Sequence, residues 1–154
     1  MTPFQRFLDE QRDVVWRFAV AMVGRQEADD VFQETFLAAM KAYPRLRAGS
    51  NHQAWVLTIA HRKAIDHFRA HKRRGAWDQI GEVPEVAVRD DERPDDQIWE
   101  QVRALPAKQR AAVTLRYAAD LDFAAIGKAT GTSADAARKN VHEGMRKLRQ
   151  EAIA

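Results

Sequence analysis

Cysteine is absent from this 154-residue chain, which excludes a disulfide framework, a thiol nucleophile and any cysteine-based zinc site. Long apolar runs are missing too. The most apolar stretch, FAVAMVG at 18 to 24, falls far short of the roughly 20 residues that a membrane-spanning helix needs. No basic, cleavable start marks a secretory signal, and the chain is expected in the cytoplasm. Serine is scarce: Ser50 and Ser133 are the only two, and both are better explained as helix caps than as nucleophiles. No glycine-rich loop precedes a helix to cradle phosphate. Sustained period-two alternation, the mark of a half-buried strand, is missing as well. These absences point to an all-α protein that is not an enzyme and needs no cofactor.

What the chain does have is unevenly placed charge. The net charge is only +3, yet residues 1 to 77 carry 13 Lys/Arg against 8 Asp/Glu, residues 78 to 100 carry 2 against 9, and residues 101 to 154 carry 10 against 5. Two basic blocks flank an acidic one. Basic blocks suit a polyanionic partner, and an acidic, proline-containing stretch suits a solvated connector. The organisation predicted is two small helical domains, 1–75 and 97–154, joined by an acidic flexible linker at 76–96.

Helical spacing supports this division. Thr2 and Gln5 have capping-box spacing with Pro3 at the first helical position, and Phe4, Phe7, Leu8, Val14, Val15, Phe18, Ala19 and Met22 follow at helical intervals until Gly24. A second helix at 26 to 42 carries Val31, Phe32, Phe36, Ala39 and Met40 as its apolar residues, with Glu27, Asp29, Asp30 and Glu34 where the helix dipole favours acids. Pro44 is read as its stop. Ser50 and Gln53 form another capping-box pattern that opens a third helix, closed by Gly75. Beyond the linker come four short helices: 97 to 104, 106 to 118 with Pro106 first, 123 to 130 capped by Asp122, and 134 to 149 capped by Ser133. The last two, separated by Thr130-Gly131-Thr132, have the helix-turn-helix pattern.

The third helix begins apolar and ends cationic. If Trp55, Ile59, Ala60 and Phe68 bury one stripe, then His61, Arg62, Arg69, Lys72 and Arg73 project elsewhere, and with Lys63 and Arg74 they could follow a phosphate backbone; the alternative is a solvated helix with cations at its C-terminus. His67 and His71 are spaced i, i+4 as metal ligands can be, but no third ligand is evident, so no metal is expected. In the last helix the residues placed to enter a major groove are Ala134, Asp135, Arg138, Lys139 and His142, with Arg146 beyond them.

Several of these segments, in this order, resemble a bacterial RNA polymerase sigma factor of the extracytoplasmic-function type. They are EADDVFQETF from Glu27, AWVLTIAHRKAIDHFR from Ala54 with the closing KRR, Leu105-Pro106, and the helix-turn-helix around Ile126, Gly131 and Ser133. The first half resembles sigma region 2 and the second region 4. The resemblance implies a transcription initiation factor that binds core RNA polymerase, through the β′ clamp coiled coil and the β flap, and promoter DNA, with an anti-sigma factor as a further partner. Docking on the clamp falls to Asp29, Asp30, Gln33 and Glu34. Capture of a flipped base of the minus-ten element falls to the loop with Ser50, Asn51 and His52. His61, Arg62, Arg69, Lys72, Arg73 and Arg74 approach the minus-ten DNA, and Ser133, Ala134, Asp135, Arg138, Lys139, His142 and Arg146 the minus-thirty-five element.

Three positions depart from the family pattern. His61-Arg62-Lys63 stands where Arg-Asn is frequent. Ala137 stands where a β-branched residue is usual, which should thin the packing under the recognition helix. Glu143 stands where an arginine is common and should repel a nearby phosphate. The rival readings are a stand-alone helix-turn-helix regulator and an adaptor for an acidic protein; the acidic second helix favours the sigma reading over both.

Overall fold

The computed structural model describes residues 2–73 and 94–153, and every element among them is helical. Helix α1, Pro3–Val23, opens as the spacing predicts: the Gln5 amide donates to Thr2 Oγ1 (3.1 Å), the Thr2 amide donates to Gln5 Oε1 (3.0 Å), and Pro3 takes the first position. These bonds satisfy amides that a helix start leaves without partners. Gly24 is the only residue between α1 and α2, Arg25–Ala42. Its φ of +86° demands glycine, and a Cβ there would lie 2.7 Å from Arg103 Cζ, so any larger residue would also push the Arg103 side chain aside. Pro44 does not end the helix abruptly but lies within a short 3-10 turn, Tyr43–Arg45.

Helix α3 spans His52–Arg73, and its cap corrects the expectation by one residue. The Ala54 amide donates to Asn51 Oδ1 at 3.0 Å, so Asn51 is the N-cap and the Ser50/Gln53 capping box is not formed. The buried stripe is also rotated from the one expected: Val56, Leu57, Ala60 and Ala64 are fully buried, while Trp55, Ile59 and Phe68 are partly covered. The cause is a separate aromatic cluster around Phe7. Its ring lies 5.6 Å from Trp55, 5.4 Å from Tyr43 and 5.7 Å from His52, centroid to centroid. Trp55 therefore packs at the end of the bundle instead of its centre.

In the second half, α4 spans Pro94–Arg103 and begins inside the range read as linker; the expected linker otherwise lies outside the described residues, as do Gly75 and Arg74. Helix α5, Ala107–Tyr117, follows Pro106, and α6, Phe123–Thr130, is capped by Asp122, whose Oδ1 accepts from the Ala125 amide at 2.8 Å. The turn to α7, Ala134–Ile153, places Gly131 at φ +75°, and Ser133 Oγ accepts from the Ala136 amide at 3.0 Å. Gly131 supplies the left-handed backbone on which such a turn depends.

The two halves pack on one another. Helix α1 lies against α2, α3, α4 and α5, and α3 also packs on α6. One hydrophobic cluster joins Phe18, Leu57, Ala60 and Ala64 of the first half to Ala111, Leu115, Ile126 and Ala137 of the second. Each fully buried large side chain among them contributes about 1.5–3 kcal/mol relative to exposure. Across this seam stands Arg110 of α5. It donates from Nη1 to the Met22 carbonyl at the end of α1, and from Nε (3.2 Å) and Nη2 (3.0 Å) to the Leu105 carbonyl. Its guanidinium carbon lies 5.6 Å from the Phe68 ring centre on α3. Burial, and secondarily the charge of Arg103, lower its pKa to about 10. His61 meets the same seam. Contrary to the expectation that it projects away from the core, its ring sits 6.5 Å from Phe18 and lines a cavity of about 130 Å³ with Ile65, Ala111, Thr130 and Ala137. Its pKa is lowered, by burial first and by Arg62 second.

Two tests follow from the seam. Arg110→Met should cost about 2–4 kcal/mol, because two carbonyls lose a charged donor while the aliphatic volume is kept; urea unfolding measures it, and a loss below experimental error would remove Arg110 from the tie. His61 predicts a pH effect whose sign follows from its lowered pKa. The unfolded chain takes that proton more readily than the folded one, so its contribution is full above the ordinary pKa of 6.5 and declines as the pH falls below it. Unfolding midpoints between about pH 7.5 and about pH 5.5 should therefore fall less steeply in His61→Gln than in the parent chain. Equal slopes would show that His61 carries none of the acid sensitivity.

Candidate functional site

Helix α7 sorts its side chains as a DNA-reading helix does. Ala137 and Val141 are buried beneath it, and Ala134, Asp135, Arg138, Lys139, His142 and Arg146 are exposed on its outer side, with Ser133 exposed at the cap. Arg138 Nη2 lies 3.3 Å from Asp135 Oδ1, an exposed pair that water or a ligand exchanges at small cost. Of two expectations about this helix, one holds and one changes. Ala137 is buried, and it lines the cavity of about 130 Å³ that His61 shares, so the packing beneath α7 is thin there as expected. Glu143 is half-buried and accepts from Gln109 Nε2 of α5 at 3.2 Å, which turns the carboxylate inward and spends it on fastening α7 to α5.

On the first half, the loop at 46–51 is short and bent. The Leu46 amide donates to the Tyr43 carbonyl and the Ser50 amide to the Arg47 carbonyl. Asn51 is exposed but its Oδ1 is engaged as the cap of α3, and His52 lays its ring against Phe7. Beyond the loop, Arg62, Arg69 and Lys72 are exposed along α3, whereas His61 is half-buried. The side chain of Arg73 and all of Arg74 lie outside the description.

Helix α2 buries Ala28, Val31, Thr35, Phe36 and Ala39 and turns Asp29, Asp30, Gln33 and Glu34 outward, together as expected. Met40, read from the sequence as apolar stripe, is 50% exposed, and Leu37 is 54% exposed. Leu37 stands four residues after Gln33 and Met40 three further on, so these apolar side chains continue the acidic face along the helix. Helical spacing alone could have shown this, had exposure been counted from Asp30 onward. At the start of the same helix, Glu27 receives both histidines of α3: His67 Nε2 lies 3.4 Å from Oε2 and His71 Nε2 3.3 Å from Oε1. The third member that the His67/His71 pair lacks in the sequence thus comes from another helix. Burial lowers the pKa of His67 most and His71 adds to this, against the opposing pull of Glu27, Asp30 and Glu34.

Comparison with known proteins places this arrangement. Residues 7–74 match the family described as Sigma-70 region 2, and residues 95–148 match Sigma-70, region 4. The chain is 30% identical over 142 residues to the ECF RNA polymerase sigma factor SigC of Mycobacterium tuberculosis, covering 89% of this chain and 76% of that one. It is 32% identical over 162 residues to SigD of the same species, covering 96% and 76%. Its fold matches that of the sigma factor RpoE solved in complex with the anti-sigma factor NepR from Bartonella quintana, with a TM-score of 0.83 at 22% identity over 97% of this chain and 96% of that one. Two sigma regions in order, at this identity and over nearly the whole length, are decisive: the chain belongs to the extracytoplasmic-function sigma factors of bacterial RNA polymerase.

Proposed function

We propose a division of the initiation factor's work among three surfaces of this chain. The exposed face of α2, with Asp29, Asp30, Gln33 and Glu34, docks on the β′ clamp coiled coil of core polymerase. Leu37 and Met40 extend that contact, because acidic residues give orientation and on-rate while exposed apolar side chains supply desolvated area. The loop with Ser50 and Asn51, together with Arg62, Arg69 and Lys72 of α3, contacts the minus-ten DNA. His52 and His61 support this surface from within, through Phe7 and Phe18. Helix α7 reads the minus-thirty-five element with Arg138, Lys139, His142 and Arg146, the half around it docking on the β flap. The chain itself catalyses no reaction; it positions a polymerase that does.

The observation that carries this reading is the clean sorting of α2 and α7, each buried along one stripe and presenting opposite charge along the other. An anti-sigma partner is supported by the RpoE relative, which is solved with one. No helix among the described residues is long and apolar enough to cross a membrane, in keeping with work on chromosomal DNA.

Asp30→Arg with Glu34→Lys should weaken binding to core polymerase at least tenfold while the circular-dichroism spectrum is kept, since both side chains are exposed. Unchanged affinity would move the dock elsewhere. On α7, Arg138→Ala should cost about 1–3 kcal/mol at one minus-thirty-five position and relax the preference there, as losing a planar two-pronged contact to a guanine does. Lys139→Ala should weaken every promoter alike and make the salt slope shallower by about 1. Holoenzyme affinities for single-base promoter variants at several salt concentrations decide; if neither variant changes preference or slope, α7 does not read DNA.

A further inference from the structure

Glu27, His67 and His71 form the one trio among the described residues whose potential ligand atoms all lie within 4.8 Å of one another. Promoter reading makes no use of it. Two imidazoles one helical turn apart present their Nε2 atoms to the same side of α3, and α2 brings a carboxylate to meet them. The separations have the scale of a shared ion. Two ligands of a tetrahedral zinc ion, at about 2.0–2.1 Å from the metal, stand about 3.3–3.4 Å apart; here His67 Nε2 lies 3.4 Å from Oε2 and His71 Nε2 3.3 Å from Oε1, so each imidazole faces its own oxygen of the one carboxylate. The rings themselves are near each other, with centroids 4.1 Å apart.

A second feature is independent of those distances. His71 Nδ1 lies 3.1 Å from the backbone carbonyl of His67; a carbonyl only accepts, so the ring nitrogen donates. That bond holds the ring in place and turns Nε2 toward Glu27, where an incoming metal ion would displace the Nε2 proton; it is the outer support that metal-binding histidines ordinarily have. Asp30 and Glu34 on α2 also act on His67 with negative charge, although burial and His71 outweigh them in disfavouring its protonated form.

We propose that Glu27, His67 and His71 bind a divalent transition-metal ion of the zinc class, joining α2 to the basic end of α3. Two imidazoles and one carboxylate suit zinc and its neighbours, whereas magnesium and calcium prefer sites made of oxygen. Three protein ligands leave a fourth position for water. The proposal stands on these residues alone and is separable from the docking and promoter readings, because its readouts involve neither polymerase nor DNA.

The test uses the full chain, stripped with a chelator that is then removed. Zinc is titrated in competition with a chromophoric zinc indicator, and thermal unfolding is followed with zinc or with magnesium. The expected result is one zinc ion bound per chain at micromolar or tighter affinity, with a rise in melting temperature that magnesium does not reproduce. Glu27→Gln and His71→Ala, each checked for retained helicity, should each lower zinc affinity at least tenfold and abolish the rise. Both side chains are partly exposed, so either variant can be read if the other fails to fold. No zinc uptake, uptake indifferent to both substitutions, or zinc no better than magnesium would overturn the site.

Discussion

Arg110 is the contact on which the arrangement of this molecule turns. A half-buried guanidinium turns part of its five donors away from water, so the fold must bring acceptors to those or lose stability. Here the acceptors are backbone carbonyls: Met22 at the end of α1, where the helix dipole is negative, and Leu105 ahead of α5. Phe68 adds its ring face from α3. Three helices and one connection are thereby tied to a single side chain. Nearby, Gly24 leaves just enough room for Arg103 to lie across the α1–α2 corner. The orientation of the second half on the first therefore rests on a few polar contacts set into a seam of large and small apolar residues.

That seam has a bearing on how the DNA-reading surfaces are displayed. Ala60 and Ala64 on α3, Ala111 and Ala112 on α5, Ala129 on α6 and Ala137 on α7 are all buried in one cluster. Alanines let helix backbones approach closely while burying little area apiece. These alanines share one cluster with the large, fully buried side chains of Phe18, Leu57, Leu115 and Ile126. His61 lies at its border, although the resemblance to the family implies a contact with DNA for it. The outward cations Arg62, Arg69 and Lys72 remain clear of it.

Much of this was legible in the chain because much of it is local. The caps Thr2, Asp122 and Ser133, the hinge at Gly24 and the turn at Gly131 depend on residues within four positions of one another, and each stands where spacing put it. At α3 the local signal was ambiguous. Ser50 and Asn51 are both good caps, and the amide oxygen of Asn51 won, with the Phe7 cluster fixing the phase of the helix that follows. Features that failed to show depend on distant partners. Nothing near His67 announces Glu27, which lies on another helix, and nothing near Glu143 announces Gln109. Met40 illustrates a third kind of failure, in which an apolar residue at helical spacing with the core residues of α2 nonetheless faces outward.

The cluster around Phe7 has one further consequence. Tyr43 and His52 stand at the two ends of the loop at 46–51, and both rings rest on the same phenylalanine. The ends of that loop are thus held by a contact made when the bundle folds, and the entropy lost in closing it belongs to folding instead of to binding. In the proposed minus-ten role, a nucleotide entering the loop would meet a segment already short of alternatives, and little of its interaction energy would be lost in ordering the chain around it. A residue in the interior of α1 in this way sets how economically a surface on the far side of two aromatic rings can hold its ligand.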